Sequence, residues 1–358
     1  MGVNYDRQAI VVAMGEEEVR ENIYQLLRAY WTPSMSFAFG DQQLEVKTRK
    51  SYAHQAYQHS RSSHLWVDPS VHWIWKVSAL SSFSADVGYA NTPLTGKSIY
   101  DMPIFTTYCT RKVNLGKTDV THDFCATASY KYANPVWGLF LNVSPMYTRT
   151  SGSILYENDL DNRVYTIIAT DKKRPNETTG LLAHISKTFG WGKTLFGLGA
   201  SQTTTNYCML VSGKENDARM TVTSVALYFS LRPARFLSLE GQASVNFNQQ
   251  RNLTSHLLSS GSINDWEHRL NINVFPASGW MLSAKNQLFH TNSEGIGTSY
   301  FLDFSMSYQT KQWEFAFSAS NIIGTSKQEQ HVLGNTIETY MLTRLRPREF
   351  SVNWAVNL

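Results

Sequence analysis

The feature that most constrains this chain is a strict alternation of apolar and polar residues in the stretch from residue 300 to residue 320. One face of the first arm carries Tyr300, Leu302, Phe304, Met306 and Tyr308, while mostly polar residues fill the positions between them. After a turn at Thr310 and Lys311, a second arm alternates in the same way from Trp313 to Ser320. Successive side chains of a strand point to opposite faces, so this stretch predicts a hairpin with one apolar face. Its arms have about the 9–11 residues that a membrane-spanning strand needs.

The same alternation recurs along the chain, and it sits between turns of unequal length. Further alternating segments cover residues 124–132, 139–144, 237–248, 267–274 and 350–358. Short turns are predicted at residues 40–42, 78–81, 134–135, 190–193, 232–235, 276–279 and 309–312, and longer polar loops at 91–119, 150–178, 210–217, 249–263 and 323–337. Short turns at one end of the strands and long loops at the other are typical of an outer-membrane barrel.

The composition agrees with strands that have one apolar and one wet face. Charged residues make up 17% of the chain, below the usual quarter or so, and aromatic residues reach 13%. No run of 18 apolar residues is present, so the sequence predicts no transmembrane helix. A membrane protein without such helices has to be a closed barrel. Residues 1–6 have neither the charge nor the apolar run of a signal peptide, so we expect a trimmed chain or a piece of a longer one.

Tryptophans mark the strand ends beside the short turns. Trp137, Trp191, Trp280 and Trp313 lie within a few residues of such a turn, and Trp354 lies on the last strand. Amphipathic rings at strand ends are typical of an interfacial aromatic girdle, which we predict at the periplasmic rim. The alternative is that these rings pack the core of a water-soluble protein.

The hairpins and the final strand predict about 15 strands, and residues 5–14 offer one more. Residues 16–31 are ambiguous, because their apolar residues fit helical spacing after an acidic first turn. We favour a loop or a strand edge over a partner-binding helix for this stretch.

Two short motifs near the C-terminus carry a resemblance to a known family. Asn321 begins the stretch Asn-Ile-Ile-Gly, and Arg344, Arg346, Pro347 and Arg348 form an R-x-R-P-R segment ahead of an alternating terminal strand. This arrangement resembles the C-terminal signature of TonB-dependent outer-membrane receptors, most of all the group with a carboxypeptidase-like regulatory domain. The chain ends in Leu358, where the family usually has Phe.

The resemblance implies a barrel of about 22 strands around a plug domain. No stretch of this chain matches the regulatory domain, the plug or the TonB box, so we expect residues 1–358 to be the C-terminal part of such a barrel. The implied partners are outer-membrane lipid, the barrel-assembly machinery, an extracellular small-molecule or glycan ligand, and the TonB system acting through a plug outside this sequence.

The first hypothesis for function is therefore uptake of a nutrient through the outer membrane, with ligand-facing loops at residues 91–119, 150–178 and 323–337. Siderophore, glycan, peptide and cobalamin stay open as ligands. The second hypothesis is a self-contained passive channel of about 16 strands, similar to a porin. The third, an outer-membrane barrel enzyme, is disfavoured because no catalytic constellation is found.

We also expect no metal site, no cofactor and no nucleic-acid partner. His54, His59, His64 and His72 match no tetrahedral spacing, and the three cysteines form no CxxC pair. The longest basic run, residues 172–174, is typical of a solvated loop rather than a nucleic-acid patch.

Overall fold

The computed structural model describes residues 2–14, 18–58, 60–107, 110–161, 164–190, 194–211, 213–254, 261–293, 297–333, 338–345 and 348–356. Within these residues, no helix is both long and apolar enough to cross a membrane. The secondary-structure elements are, in chain order, β1 (Gly2–Met14), β2 (Glu18–Trp31), β3 (Ser34–Phe39), β4 (Gln42–Tyr57), β5 (Ser60–Ser78), β6 (Ser81–Pro93), α1 (Gly96–Ile99), β7 (Ile104–Thr107), β8 (Thr110–Val113), β9 (Val120–Asn134), β10 (Leu139–Asp161), β11 (Val164–Phe189), β12 (Thr194–Val211), β13 (Lys214–Ala234), β14 (Leu237–Asn252), β15 (Ser262–Val274), β16 (Trp280–Thr291), β17 (Ser299–Gln309), β18 (Trp313–Ser320), β19 (Lys327–Leu333), β20 (Glu338–Arg344) and β21 (Glu349–Val356).

Nineteen of these strands form one sheet, and β19 and β20 form a separate hairpin. β2 and β3 share one position, because β2 pairs with one half of β4 and β3 with the other. β7 and β8 belong to the segment between β6 and β9. Leaving out β3, β7 and β8, the nineteen strands occupy sixteen positions in the sheet. Neighbouring positions are antiparallel and follow chain order, so the predicted up-and-down architecture and the expected strand number are confirmed.

The sheet has two edges in the part of the chain that the structure describes. β1 pairs with β2, and β21 pairs with β18. No backbone pairing between described residues joins β1 to β21.

The two faces of the sheet differ in chemistry, as the alternation predicts. Across β4, β5 and β6, one row of paired residues is Val46, Val71 and Val87. The neighbouring row, whose side chains point to the opposite face, is Glu45, His72 and Asp86. We call these faces the apolar face and the polar face.

The apolar face is open to the surroundings of the protein. On β5 alone, Leu65 is 77% exposed, and the apolar face of other strands exposes Val3, Leu27, Leu198, Leu227, Phe315 and Val352. Water-soluble monomers rarely expose a contiguous apolar patch of more than a few hundred Å². A face of this extent is what lipid requires of a membrane-spanning sheet.

The structure corrects three expectations about individual segments. Residues 18–31 form a strand that pairs with β1 on one side and β4 on the other, so they are neither the loop or strand edge that we favoured nor the alternative helix. Most of 150–178 and 210–217, expected as loops, belongs to β10, β11, β12 and β13. These strand ends mix apolar and polar residues on both faces, which removes the alternation from the sequence, and cross-strand backbone pairing sets their conformation instead. The turn expected at 232–235 lies two residues later, centred on Arg235 and Phe236.

Candidate functional site

The longest hairpin of the sheet reaches far beyond the other strands. β10 has 23 residues and β11 has 26. A strand needs only about 9–11 residues to cross a membrane, so more than half of this hairpin projects past the membrane-spanning part. The projection is at the end opposite the short turn at residues 135–138. We call residues 153–174 the hairpin tip.

The hairpin bends where the tip begins. The register of β10 against β11 shifts between Thr150 and Ser153, and again between Ile154 and Tyr156. Gly152 has φ +80°, a conformation that side chains with a Cβ rarely adopt. A Cβ at Gly152 would also lie 3.1 Å from the Val120 carbonyl oxygen. The glycine therefore permits both the bend and the close approach of β9.

The bend reverses the order of the strands. Below it, the order is β9, β10, β11, β12. Above it, Tyr165–Ile168 of β11 pairs in parallel with β8, while Glu157 and Asn158 of β10 pair in parallel with the end of β12. The order across the tip is therefore β8, β11, β10, β12. The hairpin tip is therefore rotated by about half a turn relative to the rest of the hairpin. Through its two parallel pairings it connects β8, in the segment between β6 and β9, to the end of β12.

A cleft of about 770 Å³ lies where the hairpin tip meets these strands. It is lined by Leu94, Ser98, Thr110, Thr121, Ser153, Ile154, Leu155, Tyr156, Asn158, Tyr165, Ile167, Asn176, Thr205, Tyr207, Cys208, Met209 and Met220. Two of the three predicted ligand-facing loops, 91–119 and 150–178, supply most of this lining. The described part of the third loop, 323–337, supplies none. Among the described residues, no charged side chain lines the cleft.

Several charged side chains around the hairpin tip form ion pairs with one another. Lys117 contacts Asp171, and Lys173 Nζ donates to Asp119 Oδ1 at 2.7 Å. Arg174 donates from Nε and Nη2 to Glu215 Oε2, at 2.9 and 2.5 Å. The hydrogen bonds from Arg174 lower the pKa of the Glu215 carboxyl. The basic run at residues 172–174 is thus matched by Glu215 of β13 and by Asp119, which directly precedes β9.

Two titratable groups in the lining stay neutral at ordinary pH. Burial raises the pKa of the Cys208 thiol, and the nearby Asp217 and Glu215 carboxylates raise it further. Burial likewise raises the pKa of the Tyr207 hydroxyl. This hydroxyl is buried and has no hydrogen-bond partner among the described residues, which leaves one polar atom unsatisfied in the lining.

The segment that supplies one side of the cleft is anchored on the polar face of the sheet. We call residues 94–119 the mouth segment. Its Ile99 and Tyr100 are fully buried against Tyr24 of β2 and Tyr57 of β4, which pair across the strands. The Tyr57 hydroxyl donates to Asp101 Oδ1 at 3.0 Å. These contacts fix the mouth segment over β2 and β4.

A largely buried ion pair stabilises the same face next to this anchor. Arg28 Nη2 donates to Asp68 Oδ2 at 2.7 Å, and the two side chains are 14% and 10% exposed. Arg28 Nε also donates to Ser51 Oγ, and its guanidinium lies 5.0 Å from the centre of the Trp66 ring. Asp68 Oδ1 accepts from both the backbone and the side-chain nitrogen of Asn91. The network ties β2, β4, β5 and β6 together.

The tryptophans predicted as a girdle lie near the short turns wherever the structure describes them. Trp137 is in the turn between β9 and β10, and Trp280 and Trp313 begin β16 and β18. Trp354 of β21 stacks on Trp313 with ring centres 5.5 Å apart. Trp191 lies outside the described residues. Their role as a periplasmic rim stays a prediction.

The C-terminal motif residues form a turn rather than part of the cleft. Asn321 has φ +52°, its Nδ2 donates to the Thr325 carbonyl, and its Oδ1 accepts from the Thr325 backbone nitrogen. Gly324 has φ +82°, and the Arg348 guanidinium lies next to it. Arg344 ends β20 and is exposed, and Arg346 and Pro347 lie outside the described residues. The motif therefore shapes a chain reversal after β18.

The sequence analysis missed two features, one at each end of the strands. Trp73 and Trp75 stack on each other on the apolar face of β5, close to the short turn at residues 79–80. Their spacing from that turn could have added them to the predicted girdle. The cleft itself was missed, and the lone Gly152 inside a polar stretch was the available sign of a bend.

The histidines singled out in the sequence do not gather into a site. His54 bonds to Ser63, His64 stacks on Trp66, His72 contacts Asp86, and His59 lies outside the described residues. In the part of the chain that is described, no group of three or more His, Cys, Asp or Glu side chains is placed to hold a metal ion.

No protein-family model matches the chain, and no curated protein matches it in sequence. Among solved structures, the siderophore receptor PiuA from Acinetobacter baumannii is similar, with a TM-score of 0.47 and 11% identity over 94% of this chain and 58% of PiuA. A mutant of the ferric enterobactin receptor PfeA from Pseudomonas aeruginosa gives a TM-score of 0.46 and 11% identity over 98% of this chain and 59% of PfeA. The ferric-catecholate import receptor Fiu from K12 E. coli gives 0.43 and 9% identity over 100% and 62%. The chain spans less than two thirds of the length of each of these structures.

Proposed function

We propose that this chain is the β-barrel portion of an outer-membrane receptor that takes up a nutrient in a TonB-dependent process. The observation that carries the proposal is the up-and-down sheet with an exposed apolar face and a cleft at its long-loop end. The apolar face contacts outer-membrane lipid, the polar face lines the barrel interior, and the cleft faces the outside of the cell. In this proposal, residues 1–358 are part of a barrel of about 22 strands.

The proposal assigns binding and passage to this chain, and no catalysis. TonB acts through a plug domain that lies outside this sequence, and the barrel-assembly machinery inserts the barrel. Siderophores, which the similar receptors are named for, are one candidate ligand class, and glycans, peptides and cobalamin are others.

Sidedness tests the proposal in cells. With the native cysteines replaced by serine, single cysteines are placed at Asp171 in the hairpin tip, 77% exposed, and at Val136 in a short turn, 89% exposed. A membrane-impermeant maleimide should label Asp171→Cys on intact cells and Val136→Cys only after the outer membrane is opened. Labelling of Val136→Cys on intact cells, or of neither site in the membrane fraction, contradicts the proposal.

The sixteen strand positions favour one second candidate, a passive channel that closes on itself. Closure would place β1 beside β21, and paired cysteines on those strands would then oxidise to a disulfide. The test combines Tyr5→Cys with Val352→Cys, Trp354→Cys or Val356→Cys in turn. The positive control is Phe315→Cys with Trp354→Cys, since these two residues pair across β18 and β21. A receptor portion cross-links in the control only, whereas a closed channel cross-links in both.

A further inference from the structure

The cleft beneath the hairpin tip has the chemistry of a site for an uncharged, hydroxyl-rich ligand. Its lining combines three tyrosine rings, Tyr156, Tyr165 and Tyr207, with neutral hydrogen-bonding groups and aliphatic or sulfur-containing side chains. The neutral hydrogen-bonding side chains in the lining are Ser98, Thr110, Thr121, Ser153, Asn158, Asn176 and Thr205. Sugar rings have apolar C–H faces and hydroxyl edges, and this mixture of aromatic faces and neutral polar groups complements both.

The charges near the cleft argue against an anionic ligand. A multiply charged anion needs cationic donors that are free to face it, because a charge that leaves water unpaired is costly. Lys117, Lys173 and Arg174 are each occupied by a carboxylate. Lys112 lies over the ring of Tyr156, with its Nζ 4.4 Å from the ring centre. Arg111, beside the lining residue Thr110, donates from Nε to Thr166 Oγ1 at 2.7 Å. An anion would have to displace one of these partners before it gained a cation.

The size and openness of the cleft fit a short oligomer. A volume of about 770 Å³ is within the range of about 300–1,000 Å³ that ligand pockets occupy. The Tyr207 hydroxyl has no hydrogen-bond partner among the described residues. It can form one more hydrogen bond to a ligand when the side chains that cover it shift slightly. The raised pKa values of Tyr207 and Cys208 keep the lining neutral as the pH changes.

We propose that the cleft under the hairpin tip binds a neutral oligosaccharide, which makes an uncharged glycan the substrate class of this receptor portion. The inference rests on the proposed function, because the cleft admits an external ligand only if it opens at the outer end of an inserted barrel. Tyr165, Tyr207 and Asn176 are the residues that we assign to binding.

The test measures binding to the full chain refolded in a detergent without a sugar headgroup, such as lauryldimethylamine oxide. The probes are maltotriose and cellotriose as neutral sugars, trigalacturonic acid as an anionic sugar of the same length, and ferric enterobactin as an anionic iron complex. Isothermal titration should give binding of at least one neutral trisaccharide, with weaker or no binding of both anions. Tighter binding of either anion, or no binding of any neutral sugar, overturns the inference.

Two variants locate the binding and one controls for folding. Tyr165→Ala should weaken binding of the neutral sugar about tenfold, since one aromatic contact is worth up to about 1.5 kcal/mol. Tyr207→Phe keeps the ring and removes one hydroxyl, and should weaken binding about fivefold. Tyr132→Ala removes a tyrosine near the short turns and should leave binding unchanged. Equal effects of Tyr165→Ala and Tyr132→Ala also overturn the inference.

The same preparation separates failure of the site from failure of the fold. Heat-modifiable mobility on a gel reports a folded barrel. A heat-modifiable chain that binds no neutral sugar refutes the inference and leaves the proposed function standing. A chain that is never heat-modifiable in any detergent or lipid counts against the proposed function itself.

Discussion

Replacing Asp68 by Asn should cost this protein far more stability than replacing an exposed carboxylate that also has a cationic partner. Asp68 accepts three hydrogen bonds, from Arg28 at 2.7 Å and from the two nitrogens of Asn91 at 3.0 and 2.7 Å. An asparagine in its place has one acceptor oxygen, and it leaves the Arg28 guanidinium buried at 14% exposure without a counter-charge. Breaking a fully buried pair in this way costs about 3–5 kcal/mol, and this largely buried pair should lose a substantial part of that amount.

The matched control is Glu177→Gln. Glu177 contacts Arg149 at 3.6 Å, and both side chains are well exposed, at 38% and 49%. Exposed pairs are worth about 0–1 kcal/mol, so this variant should hardly change the free energy of unfolding. The double variant Arg28→Gln/Asp68→Asn removes both charges and should recover part of the loss, which measures the coupling between the two side chains.

The assay is urea unfolding of the chain folded into lipid vesicles, followed by tryptophan fluorescence and by heat-modifiable mobility. We expect a much lower urea midpoint for Asp68→Asn than for Glu177→Gln, with similar slopes. Equal midpoints for the two variants would refute the reasoning, because they would mean that the buried network contributes no more than a surface pair.

Three further predictions concern glycines and tyrosines. Gly197→Val should lower the free energy of unfolding by about 1–3 kcal/mol, because a Cβ there would lie 1.9 Å from Tyr228 Cζ. Gly199→Val should cost much less, since the nearest neighbour of a Cβ at that position is 3.9 Å away. Equal urea midpoints for the two variants contradict this prediction. Gly152→Ala should strain the bend by about 1–3 kcal/mol and expose the hairpin tip to limited proteolysis, while Gly88→Ala, on extended backbone, should leave the digestion pattern unchanged. Burial raises the pKa of Tyr24 to about 12, so the stability from its neutral hydroxyl is complete below the ordinary tyrosine pKa and is lost as the pH rises towards 12. Absorbance at alkaline pH should show several late-ionising tyrosines, and Tyr24→Phe should lower their number by one, while an unchanged late amplitude contradicts this.

The alternation of apolar and polar side chains was enough to predict the antiparallel sheet of this protein. Phe304, Met306 and Tyr308 alternate with serines and carboxylate or amide side chains because one face meets an apolar surrounding and the other does not. A period of two then fixes both the strand and its orientation. The short turns followed from the same signal, since each one separates two alternating arms.

The hairpin tip and the cleft beneath it could not be predicted in the same way. Residues 153–174 are polar or mixed on both faces, so no periodicity marks them as strand, and their partners are distant in sequence. Thr110 and Leu210 are brought to the hairpin tip by the geometry of the sheet, which the local sequence does not encode. The cleft depends on those long-range pairings, and single residues such as Tyr207 carry no sign of it.

The reversed strand order of the hairpin tip also dictates a sequence of assembly events. In the main sheet, each of the sixteen strand positions pairs with the positions next to it in the chain. The sheet can therefore form through pairings between segments that are close in sequence. The hairpin tip needs partners from both sides at once. Thr110 of β8 precedes its partner Tyr165 by 55 residues, and Leu210 of β12 follows its partner Glu157 by 53 residues. The hairpin tip can adopt its final pairing only after β8 and the end of β12 are in place. We therefore expect this end of the sheet to form last, after the other strands have paired.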